Sequence, residues 1–549
     1  MSRFFRLLSL FLLCFSFVSC TEYKYRKEVN VQLQAQLDSM SGQSATIQEE
    51  AVHQLDLISE MYRKGGAYLS AKWQHEENIR QLIEAIRNSK AEGLHPEDYH
   101  LTAIETTLER VNTADLTTAA EMAQLELLLT DAFLTLSSHL AAGKTDAVSA
   151  DPQWNAAKRN LPIEWDTYID SVLAAKAVAT SLAALTPRHR QYTNLRKALQ
   201  RYQDMAAAGG WEAFSTTEKK LQKGMQSADV VALRKRLVAS QGAFPMDTED
   251  STFFDERLHQ QVVIFQTRHG LPNDGVLGPR TVQALNTTVE DRIATIEANL
   301  ERWRWVDEDL GRKHVLVNIA NFTMQLYEND SVVFETEAIV GKTYRKTPVF
   351  SGMMNHLVFN PDWTVPPGIM RNDVIPAILK NRGYLAEKNM MLLTRDGKEV
   401  SPSQVDWKQV SASNFPYMVR QRPGKDNALG KVKFMFPNTH NVYIHDTPTR
   451  NLFSQTDRSF SSGCIRINQP IAFAKLLLEA DSSATAAQID QILAQPATRT
   501  IRLKKHIPVH ILYLTAWADE NGTVYFRPDL YERDVTLLRA LKRSYAPVV

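Results

Sequence analysis

Near residue 310 the spacing of apolar residues changes, and that change constrains what the chain can fold into. From about Ile47 to Leu221 apolar residues recur at three and four, as in Leu82, Ile83 and Ile86 and along Leu125 to Leu140. That is the period of helices with a buried face. Beyond His314 the period falls to two. His314 to Ala320 and Thr323 to Tyr327 read as strands, and Val332 to Val340 returns after the turn Glu328-Asn329-Asp330, which makes a β-hairpin. A chain that switches period in this way is a multi-domain α+β protein. Its 549 residues suggest three or four domains at about 150 residues each.

The downstream half is mainly β but interrupted. Strand-like runs from Phe350 to Val365 stop at Pro366-Pro367. Asn372 to Leu379 then reads as helix, and Gly383 to Tyr417 is polar and loop-rich. Alternation resumes at Lys431 to Phe436 and Val442 to His445, so residues 366–425 are expected to be an insertion, a lid, between strands of one sheet. Further on, Ile471 to Leu478 reads as helix, and His510 to Ala516 is expected to pair with Val524 to Phe526 across Asn521-Gly522.

Composition narrows the function classes. With 44% hydrophobic and 23% charged residues the chain can bury ordinary cores, and a net charge of +1 argues against a nucleic-acid partner. The helical region, with His95, His100 and His139 scattered outside any metal-ligand spacing, carries no chemistry legible in its sequence. No metal site or dinucleotide loop appears, so no cofactor is expected.

The N-terminus reads as an export leader. Arg3 and Arg6 precede an apolar run from Leu7 to Val18 that is too short for a membrane span. It ends in Val18-Ser19-Cys20, similar to a bacterial lipoprotein cleavage box, with Phe17 where leucine is usual. Cleavage would leave Cys20 as a lipidated first residue, holding the protein at a membrane through its acyl chains. The expected location is the cell envelope, facing the periplasm from the outer membrane. Residues 21–45, polar with little apolar period, read as a tether.

Between residues 226 and 290 lies a small unit with three apolar stripes, Val230/Leu233/Leu237, Leu258/Val262/Phe265 and Val282/Leu285, joined by turns at Gly270, Asn273-Asp274-Gly275 and Gly278-Pro279. The run FQTRHGLPNDGVLGPRTVQALN resembles the three-helix peptidoglycan-binding module of many wall enzymes.

Chemistry concentrates in YIHDTPTRNLFSQTDRSFSSGCIRIN, Tyr443 to Asn468. His445 ends an apolar alternating run, and Cys464 follows 19 positions later in a Ser-Ser-Gly-Cys turn. That distance is too long for one helical face and suits adjacent strands. A thiol and an imidazole placed together form a nucleophile–base pair; read alone, Cys464 could equally be a buried small hydrophobe. The other cysteines, Cys14 and Cys20, belong to the leader, which leaves Cys464 without an obvious disulfide partner.

The runs RQRPGKDNALGKVKFMFPN, VYIHDTP and FSSGCIRI, with VGKTYRKTPVF and DWTVPPGIM upstream, resemble the L,D-transpeptidase catalytic domain of the YkuD type. The order of parts is similar to the large branch of that family: signal peptide 1–20, tether 21–45, helical scaffold 46–225, peptidoglycan-binding-like module 226–290, connecting helix 291–310, catalytic domain 311–535 and tail 536–549. The fold this implies is a mainly β catalytic domain with an inserted lid. The implied reaction is acyl transfer, with the Cys464 thiolate attacking the third residue of a tetrapeptide stem and expelling D-alanine. The amine of a second stem then resolves the thioester into a 3→3 cross-link. The resemblance makes His445 the base and the main chain of Asp446 its orienter. Gly463 and Cys464 supply backbone donors for the oxyanion. Ser462 stands where many members carry a second histidine. Arg466 reads a substrate carboxylate or makes a structural salt bridge; Tyr443 lines the groove or packs the core; Asn427 shapes the donor groove; Trp363 is wall or packing. Thioester adducts with carbapenems at Cys464 are also implied. Hydrolysis of the same thioester, an L,D-carboxypeptidase outcome, stays open. The intact His445, Gly463, Cys464 and Arg466 weigh against a non-catalytic wall-binding lipoprotein, and the binding module weighs against a thiol hydrolase of another exported substrate.

Overall fold

The computed structural model describes residues 22–40, 45–64, 71–113, 118–156, 159, 161–244, 250–411 and 414–543. The leader and Cys20 lie outside the described residues. The chain divides into two compact units, one comprising 1–144 with 161–186 and 543–549, the other 145–160 with 187–542.

The first unit is helical. Its helix α1 (Glu22–Ser39) runs through the stretch read as a tether. Val29, Leu33 and Leu37 recur every four residues and are buried, a narrow apolar stripe that polar neighbours dilute in sequence. It packs on α2 (Ala119–Ala142), which starts at a capping box between Thr118 and Glu121. Helix α2 is long and apolar enough to cross a membrane, but it is buried on nearly all sides as the core of this unit. Its acids are used internally. Glu126 accepts from Tyr62 Oη at 2.6 Å, and Asp131 from the amides of His53 at 3.0 Å and Gln54 at 2.6 Å.

The second unit begins earlier than the sequence suggests. Strand β1 (Trp154–Asn155) and helix α3 (Arg190–Ala207) fall inside the region expected to be scaffold, yet both join the core of the β body. Trp154 is fully buried, as are Tyr192, Leu195, Ala198 and Leu199 on one face of α3. The scaffold boundary at 225 is corrected accordingly: buried apolar contacts, not helicity, assign these residues.

Three helices, α4 (Asp229–Gln241), α5 (Glu256–Arg268) and α6 (Pro279–Leu285), enclose a small core of Val230, Leu233, Leu237, Leu258, Val262, Phe265 and Leu285. Helix α7 (Val289–Trp305) is more than a connector. Ile296, Leu300, Trp303 and Trp305 enter the main core, and its buried Arg302 pairs with Asp534 at 2.6 Å.

The body is a ten-stranded sheet. Its remaining strands are β2 (Lys313–Asn318), β3 (Thr323–Glu328), β4 (Ser331–Gly341), β5 (Val349–Phe359), β6 (Val432–Met435), β7 (Ile444–His445), β8 (Ser459–Ser461), β9 (Ile465–Ile467) and β10 (Arg499–Leu512). The β3–β4 hairpin turns on Asn329 and Asp330, both with positive φ (50° and 61°), as a two-residue loop of matching twist requires. The order is β6-β7-β9-β4-β3-β2-β10-β5-β1, with β8 beside β4. Strand β6 also pairs with β5, Val432 opposite Phe359, so eight strands close a ring without free edges. Helix α8 (Pro470–Ala480) covers its core through Phe473, Ala474, Leu477 and Leu478. Strand β10 ends at Leu512, and Ala516–Ala518, rather than His510–Ala516, pairs with Val524–Phe526.

Between β5 and β6, at the seam where the ring closes, comes the insertion. It has its own core around Val374, Ile375, Ile378, Leu392 and Val419 and its own four-stranded sheet. That sheet starts at Trp363–Thr364 and ends at Met418–Gln421, so the insertion begins a few residues before the expected 366.

Candidate active site

Strands β7 and β9 lie side by side and parallel, Ile444 opposite Ile465 and His445 opposite Arg466, with Ile465 N donating to Tyr443 O at 3.1 Å. Alternation does the rest. Ile444, Ile465 and Ile467 point into the core at 0% exposure, so Tyr443, His445, Cys464 and Arg466 share the other face. On the far side of β7, Lys433 of β6 stands opposite His445. One row across three strands therefore reads Lys433, His445, Arg466, and the neighbouring row places Tyr443 beside Cys464.

His445 is buried, and its Nδ1–H donates to the Asp446 carbonyl at 2.5 Å. This fixes the tautomer and leaves Nε2 as a proton acceptor. Burial, then the charges of Arg466 and Lys433, push its pKa down to about 3, so the imidazole is neutral at neutral pH. Burial also pushes the Cys464 thiol up, opposed by hydrogen bonding with Tyr443 and by the Arg466 charge. The resting pair is thus neutral thiol and neutral imidazole. Sγ is half-buried, 3.7 Å from Asn441 O, and hydrogen-bonds with the Tyr443 hydroxyl. It does not bond directly to the imidazole. The two groups are brought onto the same face of adjacent strands, one residue out of register.

The Cys464 turn is held by its neighbours. Ser461 Oγ donates to Cys464 O at 2.6 Å and accepts from Gly463 N at 3.1 Å. Gly463 has φ +114°, a conformation glycine adopts without penalty, and its carbonyl accepts from buried Thr347 Oγ1 at 2.9 Å. The Gly463 amide expected to face an oxyanion is therefore occupied by Ser461, a serine two places away that sequence reasoning passed over.

The other expected residues separate by position. The Asp446 side chain is a staple, accepting from Lys431 N at 2.7 Å, from Thr447 N at 2.6 Å and from Arg450. Only its main chain touches His445. Asn427 is 1% exposed; its amide spans Arg422 O at 3.0 Å and Leu429 N at 2.8 Å, so its side chain builds the turn that leads into β6. Ser462 is exposed and accepts from Arg345, which also pairs with Asp373 of the insertion at 2.7 Å. Arg466 makes no ion pair among the described residues, and its buried Nε has no hydrogen-bond partner. The salt-bridge alternative falls. Tyr443 is half-buried in the site, hydrogen-bonded to Trp363 at the root of the insertion as well as to Cys464. Lys433 was also missed, although its alternation with buried Val432 and Phe434 puts it on the His445 face once the register is known.

In the helical unit, His53, His100 and Asp131 bring potential metal-ligating atoms within 4.8 Å of one another. Their contacts describe a charge pin instead: His100 Nε2 meets Asp131 at 2.7 Å and its Nδ1 meets Glu50 at 3.2 Å. Burial alone would lower the His100 pKa, but these two carboxylates outweigh it and raise it to about 9.

Comparison with known families matches residues 312–496 to the L,D-transpeptidase catalytic domain, 226–285 to the "Putative peptidoglycan binding domain" and 56–199 to the "Scaffold domain". A "Putative L,D-transpeptidase" of Haemophilus influenzae is 33% identical over 269 residues, 48% of this chain and 54% of that protein; the match thus spans about half of the relative's length. A "Probable N-acetylmuramoyl-L-alanine amidase" of Bacillus licheniformis is 35% identical over 82 residues, 15% of this chain and 23% of that protein. Among solved structures, an L,D-transpeptidase from Mycobacterium smegmatis aligns over 37% of this chain and 58% of its own, at 12% identity and a TM-score of 0.18.

Proposed function

Because residues 312–496 match the L,D-transpeptidase catalytic domain, we propose that the chain belongs to that family and forms 3→3 cross-links in peptidoglycan through a Cys464 acyl-enzyme. One observation carries this reading: a neutral imidazole with Nδ1–H held by the Asp446 carbonyl stands one pleat from a half-buried thiol on the adjacent strand. As Sγ attacks the carbonyl of the third stem residue, His445 Nε2 takes the thiol proton. The tetrahedral oxyanion collapses, the C–N bond to the terminal D-alanine breaks, and the imidazolium returns its proton to the leaving amine. The thioester left on Cys464 is attacked by the side-chain amine of a second stem. His445 takes that amine's proton and passes it to the departing sulfur. The Cys464 amide is the oxyanion donor this reading retains. The unpaired Arg466 offers its fork of donors to a stem carboxylate, and Lys433 adds a second positive charge.

The test is incubation of purified protein with disaccharide-tetrapeptide and mass spectrometry of the products. Dimers formed by the wild type and absent with Cys464→Ala are expected. Free D-alanine without dimers would mean the carboxypeptidase reaction, and identical products from both chains would sink the enzymatic reading. The same pair exposed to a carbapenem should differ by one acyl adduct, on the wild type alone.

Anchoring is also proposed, on the leader Arg3 to Cys20: a lipidated Cys20 would place the protein in the cell envelope at the periplasmic side of the outer membrane. Cys20→Ser is expected to shift the chain from the membrane to the soluble fraction on cell fractionation, and an unchanged distribution counts against the anchor.

A further inference from the structure

A cleft of about 400 Å³ opens between the turn after α5 and the β body, its wall including Asn273, Asn321, Phe322, Glu335, Arg458 and Arg527. Its walls are fixed against each other. Arg527 donates from Nε to Asn321 Oδ1 at 2.8 Å and from Nη1 to Arg268 O at 3.1 Å. It fits only because Gly270 has no Cβ, which would fall 2.5 Å from Arg527 Cδ. Beside it, His269 stacks on Phe526 at 5.7 Å and Arg292 lies over the same ring at 4.6 Å. The module is therefore docked on the hairpin that carries Phe526, and the cleft is a built concavity.

The lining has a definite chemistry. Arg458 lies 5.6 Å from the Phe322 ring centre and donates to Phe322 O at 3.2 Å and Gln455 O at 3.1 Å. Its Nε is buried without a hydrogen-bond partner. Neither Arg458 nor Arg527 forms an ion pair among the described residues. Burial, and then the neighbouring Arg458, hold the Arg527 pKa down to about 10, as expected of a desolvated cation beside a like charge. The acids at the cleft are engaged: Asp457 pairs with Arg280 at 3.2 Å, and Glu335 accepts from Gln325 at 2.5 Å. Amides, an aromatic face and two guanidiniums suit a ligand with sugar hydroxyls or N-acyl groups and a carboxylate. The volume is within the range of small-ligand pockets.

We propose that this cleft is a second peptidoglycan site, taking an N-acylated amino sugar with the carboxylate of its attached stem. The proposal rests on the wall-enzyme reading above. Its occupant would touch residues 454–458, on the loop that joins His445 to the Cys464 turn; Arg458 O accepts from Val340 N at 2.9 Å, one residue before β8. A glycan strand held here would keep its own or a neighbouring stem near the reacting groove.

The experiment uses the full chain bearing Cys464→Ala, so that binding is read without turnover, and measures retention on insoluble peptidoglycan sacculi. Asn273→Trp, an exposed position, fills the cleft mouth, and Arg458→Ala removes a guanidinium. Each is expected to weaken retention at least tenfold, Asn273→Trp with an unchanged melting temperature. Retention as tight as the parent in Asn273→Trp overturns the proposal, whatever Arg458→Ala does to folding. The outcome is independent of the turnover test: dimers formed with retention unaffected by Asn273→Trp would remove this site and leave the transpeptidase. Retention lost on blocking, with no turnover by the intact chain, would do the reverse.

Discussion

Tyr443 is the residue on which the chemistry of the thiol turns. Burial disfavours the Cys464 thiolate; the main chain of Tyr443, then its hydroxyl, then the Arg466 charge oppose it. A hydrogen bond to an ionised group contributes roughly 1.5–3 kcal/mol. Tyr443→Phe keeps the main-chain contact and removes the hydroxyl, and is expected to move the pH midpoint of Cys464 alkylation by iodoacetamide upward and to slow alkylation at pH 8. An unmoved midpoint would show that the hydroxyl is packing alone. The imidazole is tuned from the opposite side. Burial first, and then Arg466 and Lys433, which flank His445 in one row, keep it unprotonated down to a pH of about 3. Cysteine, histidine, glycine and arginine could be singled out in the sequence because each carries a distinctive chemical type at a motif spacing. Ser461, Thr347 and Lys433 could not, because their roles exist only through register and the path of a loop.

At the level of elements, the His100 pin ties the segment 50–54 to helix α2. His100 is 2% exposed and Asp131 0%, and breaking a buried pair leaves an uncompensated charge that costs about 3–5 kcal/mol. The folded His100 pKa of about 9 lies above the ordinary value of 6.5. Its contribution is thus fully present below pH about 6.5 and is lost as pH rises through about 9. His100→Gln is expected to lower the melting temperature of the full chain at pH 6 and to approach the wild type above pH about 9.5. A gap that stays constant with pH would mean that the pin is neutral. His445 has the opposite sign, its folded pKa of about 3 lying below 6.5, so its contribution is present above 6.5 and lost as pH falls toward 3. The helices and hairpins around these residues followed from period and turn chemistry. Helix α1 did not, because Val29, Leu33 and Leu37 alone are buried among residues 27–39, whose burial is described, too thin a stripe to outweigh its glutamines.

At the scale of the whole molecule, the change of period near residue 310 separates helix from sheet but not one unit from the other. The β body recruits residues 145–160 and 187–207 from the helical half, a long-range choice that no local pattern announces. Among the described residues of the first segment, two form a strand, pairing Trp154 with Val349 and Asn155 with Phe350. Trp154 then packs edge-on to Trp305 at 5.0 Å. It is fully buried, and truncating such a side chain costs about 3–5 kcal/mol through lost transfer energy and the cavity left behind. If contact, not helicity, assigns this segment, Trp154→Ala damages the unit that carries Cys464 and spares the helical one. Hydrogen exchange read peptide by peptide on the full chain tests this. Strands β2, β5 and β10 are expected to lose protection while α2 keeps it. Protection lost in α2 with the β body unchanged would return residues 145–160 to the helical unit.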